Sequence, residues 1–243
     1  MAPSTPDGER PEDRVVPTDP DALREAALVM HAVRDRCVWT QQIDHRALVP
    51  YLVEESAELI DAVEEGSRDE LREELGDLLW QVLFHAEIAS RDPDAPFDID
   101  DVARGLTDKM VRRHPHVFGD AVATTPEEVL VHWNAAKAAE KSARTSVLDG
   151  VSERMPSLAL AQKLLSKASS VGLTEPRPLS ERGTSETKRP DATSESELGD
   201  ALLALVATAR ANGWDAERAL RERLRRLEGE IRAAEGTPDA LER

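Results

Sequence analysis

The 243-residue chain is acidic, with 48 Asp and Glu against 31 Lys and Arg and a formal charge of -17. That balance disfavours general binding to a nucleic acid polymer, whose affinity rests on neutralising phosphates with Lys and Arg, but a nucleotide held by a local metal and a few basic groups stays open. The single cysteine, Cys37, excludes an intrachain disulfide and a cysteine zinc cage and fits a cytoplasmic protein, while aromatics at 3% point to closely packed helices with a core of Ala, Leu and Val.

Residues 1–20 are Pro-rich and acidic and have no apolar h-region, so they read as a disordered tail and not as a signal peptide. Asp19 is placed to cap a first helix that starts at Pro20 and runs to about Arg36, with Leu23, Ala26, Ala27 and Met30 at helical spacing. An irregular stretch, Cys37 to His45, leads to a second helix from about Ala47 to Glu65, stopped by Gly66. Ser67 and Glu70 form a capping box for a third helix that ends near Ser90, before Asp92-Pro93. A fourth runs from about Asp98 to Arg113 and is stopped at His114-Pro115; residues 116–125 read as a loop. Helices are expected from Glu127 to about Ala143, from Leu158 to about Ser169, and from Glu197 to about Glu235 with a break at Asn212-Gly213. No run of about 18 apolar residues appears, so no membrane span is expected.

The second and third helices each carry a pair of carboxylates three residues apart: Glu55 with Glu58, and Glu74 with Asp77. That spacing sets each pair on one face, one turn apart. Leu52 and Leu59 share the face of Glu55, and Leu71 and Leu78 that of Glu74, so the acids border stripes that should pack inward. Buried like charges are costly unless a cation compensates, and Mg2+ favours carboxylate oxygens. A hairpin at Gly66 would face the pairs across an antiparallel interface, around one metal or more. The bland reading of such spacings is a solvated helix face. Glu54 and Glu73 look solvent-facing, with Glu54 able to serve from behind the ligands.

The segment Lys109 to Gly119 gathers Lys109, Arg112, Arg113, His114 and His116. Its cations could neutralise phosphate oxygens beside a metal, or simply complement a helix C-terminus. The two histidines fit Mg2+ poorly, and His85 reads as a structural or pocket residue. Trp39 could stack on a nucleobase or anchor its loop to the core. Trp80 and Trp133 read as packing residues. Cys37 has no evident base partner to make it a nucleophile. No P-loop and no Rossmann fingerprint is present.

These segments, in order, resemble the MazG-type nucleoside triphosphate pyrophosphohydrolases of the all-alpha NTP pyrophosphatase superfamily. Cys37-Val38-Trp39 with Gln41-Gln42 is similar to the family's first stretch, with Val38 where a Pro is usual. Pro50 to Glu55 with Glu58 resembles the first acidic motif. Glu73 to Leu79 followed by Gln81 to Ala86 resembles the second. Asp108 to Gly119 is close to identical to the family's basic segment. Trp133, Lys137, Glu140-Lys141, Ser146 to Val151 and Leu158 to Lys167 continue the resemblance.

The resemblance implies an all-α helical bundle completed by dimerisation. It implies Mg2+-dependent hydrolysis of nucleoside triphosphates to monophosphates and pyrophosphate, with a role in clearing non-canonical or oxidised nucleotides. It makes Glu55, Glu58, Glu74 and Asp77 the metal ligands and Lys109, Arg112 and Arg113 candidate phosphate contacts; Glu54 or Glu55 would steer the water. Glu197 to Leu202 echoes Glu74 to Leu79, but its partner ExxE helix is missing. The expected organisation is therefore a tail (1–20), a catalytic domain (21–119), a helical connector (120–170), a flexible linker (171–196) and a degenerate second repeat (197–243). The rival reading is a catalytically inactive, dimeric all-helical regulator that binds a nucleotide or a protein.

Overall fold

The computed structural model describes residues 21–140, 145–173 and 193–235. The tail 1–20 lies outside these residues, as does most of the expected linker. Every regular element among the described residues is helical. The chain divides into two compact units, residues 1–140 and 141–243.

The first unit begins with α1 (Ala22–Arg36). Its cap is Asp21 and not Asp19: the extended backbone of Asp21 lets its carboxylate accept from the N–H of Leu23 at 3.0 Å. The stretch after α1 is more ordered than its sequence suggests. Thr40 is buried, donates to the carbonyls of Val33 and Cys37, and so folds Thr40–Gln42 into a 3-10 turn.

Helix α2 (Val49–Glu64) has Pro50 in its first turn, where the missing N–H costs nothing. It ends at Glu64, and the chain turns back at Gly66, where a Cβ would lie 2.7 Å from the Cα of Ala62. The chain reverses and enters α3 (Arg68–Ala89) through the Ser67–Glu70 capping box. Both of its bonds are present: Glu70 N–H to Ser67 Oγ at 3.2 Å and Ser67 N–H to Glu70 Oε2 at 2.5 Å.

Phe84, Met30, Leu48 and Leu83 form the buried centre of this unit, with Ala26, Ala27, Ile43, Leu79, Trp80, Ile88 and Ile99 around it. A fully buried side chain of this size contributes about 1.5–3 kcal/mol. Helix α4 (Ile99–Arg113) opens on a second capping box, Asp98 with Asp101. The expected loop after it begins with a four-residue helix, α5 (Pro115–Phe118), because Pro115 suits a first helical position and the His114 carbonyl accepts from Val117 and Phe118. Helix α6 (Pro126–Glu140) closes the unit.

The second unit contains α7 (Ser157–Ser170), α8 (Glu195–Ala211) and α9 (Ala216–Glu235). Leu165, Val206 and Ala207 are its buried centre. Helix α8 starts two residues before the expected Glu197, since Ser194 caps it by accepting from Glu197 N–H. The α8–α9 turn places Gly213 at φ 70°, a conformation that suits glycine. Gln162 of α7 clamps this turn, donating to the Trp214 carbonyl and accepting from Ala216 N–H. No helix among the described residues is long and apolar enough to cross a membrane.

Candidate functional site

The α2–α3 hairpin brings three of the four predicted carboxylates together. One oxygen each from Glu55, Glu58 and Glu74 lies within 4.8 Å of the others, the only such cluster of three ligand side chains among the described residues. Leu59, Leu71 and Leu78 beside them are half-buried, while Leu52 is exposed. The acids thus sit at the edge of the packed interface.

Burial raises the pKa of Glu74, with further contributions from the charges of Glu58 and Asp77. Its Oε2 is sealed from solvent without a hydrogen-bond partner. Burial also raises the pKa of Glu55, helped by Asp77 and Glu58 and opposed by a hydrogen bond from Gln81. Asp77 stands outside the three-oxygen cluster but close enough for its charge to act on both glutamates. Glu54 and Glu73 are exposed. Crowded acids with raised pKa values and an unpartnered buried oxygen suit a hard divalent cation, and an all-carboxylate donor set suits Mg2+.

Gln81 is the residue that sequence reasoning passed over. It is buried, and its amide donates to Glu55 Oε1 at 3.5 Å while its own Oε1 has no partner. The available signal was its position on α3, four residues after Asp77 and seven after Glu74, on the same helix face. His45 was passed over as well. It stacks on His85 with ring centroids 5.1 Å apart and an Nδ1–Nδ1 separation of 2.8 Å, so one ring must donate and the other accept. Burial, and then the neighbouring His45, lower the pKa of His85.

Trp39 does two things at once. It packs edge-on against Tyr51 and Phe84, yet stays 49% exposed. The basic segment is partly committed elsewhere. Arg113 forms an ion pair with Glu140 of α6 at 2.5 Å and lies over Trp133, 4.9 Å from the ring centroid; Arg112 reaches the same carboxylate at 3.3 Å. Lys109 is half-buried on α4. His114 donates from Nδ1 to the Met110 carbonyl, and neither it nor His116 joins a three-ligand cluster.

Paired acidic helices followed by a basic helix end define a class: all-helical domains with a candidate cation site on one hairpin and a basic helix end later in the chain. The MazG nucleotide pyrophosphohydrolase domain matches residues 43–118, which include all four carboxylates, Gln81, the two stacked histidines and the basic segment as far as Phe118. An uncharacterized 26.1 kDa protein of Streptomyces cacaoi is 49% identical over 88% of this chain and 83% of its own length. The nucleoside triphosphate pyrophosphohydrolase/pyrophosphatase MazG of Thermotoga maritima is 38% identical over 84% of this chain and 82% of its own length. The nucleoside triphosphate pyrophosphohydrolase of Mycolicibacterium smegmatis is 44% identical over 80% of this chain, which spans only 60% of that relative. This chain belongs to the MazG family.

Proposed function

We propose that the chain hydrolyses nucleoside triphosphates to nucleoside monophosphates and pyrophosphate, with Mg2+ held by Glu55, Glu58, Glu74 and Asp77. The observation that carries this reading is the convergence of three glutamate oxygens within 4.8 Å, one of the residues keeping a buried oxygen without a partner. When bound, Mg2+ neutralises phosphate oxygens and the departing pyrophosphate.

The chain's own groups do the rest. Gln81 fixes the Glu55 carboxylate. Either Glu54 or Glu55 orients the attacking water. Lys109, Arg112 and Arg113 supply positive charge to the phosphates, with Glu140 and Trp133 setting the direction of the Arg113 guanidinium. The exposed face of Trp39 stacks on the base. Residues 21–119 form the catalytic domain and 197–243 a degenerate repeat; of the connector, residues 120–170, α6 falls in the first unit and α7 in the second, and the linker, residues 171–196, gives its last two residues to α8. The enzyme works in the cytoplasm as a homodimer that covers the exposed Ile60, Leu75 and Val82 of α2 and α3. Its physiological role is to clear non-canonical or oxidised nucleotides, not to bind a nucleic acid polymer.

The test is product analysis with a panel of nucleoside triphosphates and Mg2+. Monophosphate with pyrophosphate is expected. Diphosphate with orthophosphate would assign a different hydrolysis, and no product from any nucleotide would leave a binding protein.

A further inference from the structure

Helix α9 repeats its large apolar residues at spacings of four, three and four: Leu220, Leu224, Leu227 and Ile231. That is the seam of a two-stranded coiled coil. The described residues of the second unit do not cover it. Its core takes Ala216 from α9, while the seam residues stay 46%, 48%, 40% and 49% exposed in chain order. An amphipathic helix with its apolar stripe left in solvent marks an interaction surface.

The charges along the seam say what fits it. With Leu220 and Leu227 at heptad position d and Leu224 and Ile231 at a, the flanking e and g positions are Arg221 and Arg223 in the first half. In the second half they are Glu228 and Glu230. Arg223 reaches Glu230 of its own helix at 3.5 Å, which shows that these two lie along one edge. Now lay a second α9 antiparallel on the first. Leu220 meets Ile231 of the second copy, and Leu224 meets its Leu227. In the same register Arg221 faces Glu228 and Arg223 faces Glu230, each twice by symmetry. All four apolar layers and all four edge pairs match. A parallel pair still matches Arg223 with Glu228, but it sets Glu230 against Glu235. Edge charges of this kind choose partner and orientation.

We propose that α9 pairs antiparallel with α9 of a second copy of this chain, on a two-fold axis between residues 225 and 226. The surface uses none of the residues of the catalytic reading, and it stands or falls independently of that reading.

The test places spin labels on the full-length chain, one at a time, at Arg218→Cys, Arg226→Cys or Arg232→Cys in a Cys37→Ser background. At 1.5 Å rise per residue, the two copies of the label should lie about 20 Å apart along the helix axis at 218 and 232 and only about 2 Å apart at 226. The measured distance should therefore be shortest at 226. Equal distances at the three positions would mean a parallel pair, and absence of interchain coupling would mean no pair; either overturns the proposal. Charge reversal separates pairing from misfolding. R221E/R223E alone and E228R/E230R alone should each lose the coupling at 226, and mixing the two should restore it, since the mixed pair has only attractive edges. Coupling kept by both variants alone, or not regained on mixing, would overturn the proposal as well.

Discussion

Glu74 to Leu79 on α3 and Glu197 to Leu202 on α8 share Glu-Leu-Gly-Asp and a leucine at their last position, yet their leading glutamates have opposite lives. Glu74 lies among other acids, keeps a buried oxygen without a partner, and has a raised pKa. Glu197 accepts hydrogen bonds from the N–H and hydroxyl of Thr193, both at 2.7 Å, and the first of these chiefly lowers its pKa. The difference is the neighbouring helix. Against α3 packs α2, which offers Glu55 and Glu58. The second unit gives α8 the company of α7, a helix without a single acid between Ser157 and Ser170. A carboxylate pair becomes a candidate cation site only when another element completes it; alone it caps a helix.

This contrast can be broken most directly with Glu74→Ala, which should lower Mg2+-dependent pyrophosphate release about 100-fold or more. Release at the unchanged rate would remove Glu74 from the chemistry. Asp77→Asn should cost less, about 10-fold, because Asp77 lies outside the three-oxygen cluster; a loss equal to that of Glu74→Ala would make it a full ligand.

The raised pKa of Glu74 gives a stability prediction with a definite sign. A carboxyl held above its unfolded value of 4.5 keeps its proton longer in the native state. Its contribution to stability is present below that value and is lost as pH rises through the native pKa. Glu74→Gln should therefore raise the Tm of the metal-free protein at neutral pH while lowering activity, and the gain should shrink toward pH 4. His85, whose pKa is lowered, loses stability in the opposite direction, as pH falls below 6.5, so variant and wild type have to be compared at each pH. A Tm that fell at pH 7 would show that Glu74 is not strained by its neighbours. The smallest effect belongs to Glu197→Ala: a slight fall in Tm from the lost contacts with Thr193, with pyrophosphate release within about twofold of wild type.

Locally encoded features were legible in the sequence. The chain reversal at Gly66 and the capping box at Ser67 and Glu70 depend on residues a turn or so apart, and the structure keeps them; of the ExxE and ExxD pairs it gathers three carboxylates and leaves Asp77 outside. Features that depend on distant partners were not. Gln81 became significant only once α2 set Glu55 beside it, 26 residues earlier in the chain. His45 and His85 are 40 residues apart, and no spacing rule connects them. The commitment of Arg113 to Glu140 spans 27 residues and a turn of the chain. The shift of the first cap from Asp19 to Asp21 turns on a backbone angle, which two aspartates so close together in sequence do not reveal.

The reversal at Gly66 also fixes the phase of one helix relative to the other. Each residue of an α-helix turns the chain by about 100°, and the α2–α3 connection has no slack in which to absorb an extra one. A single insertion between Glu65 and Ser67 would rotate Glu74 away from Glu55 and Glu58, even with every carboxylate intact. The hairpin is thus a fixed-length gauge: side chains around it can be exchanged one for one, but the number of residues between the acidic pairs cannot.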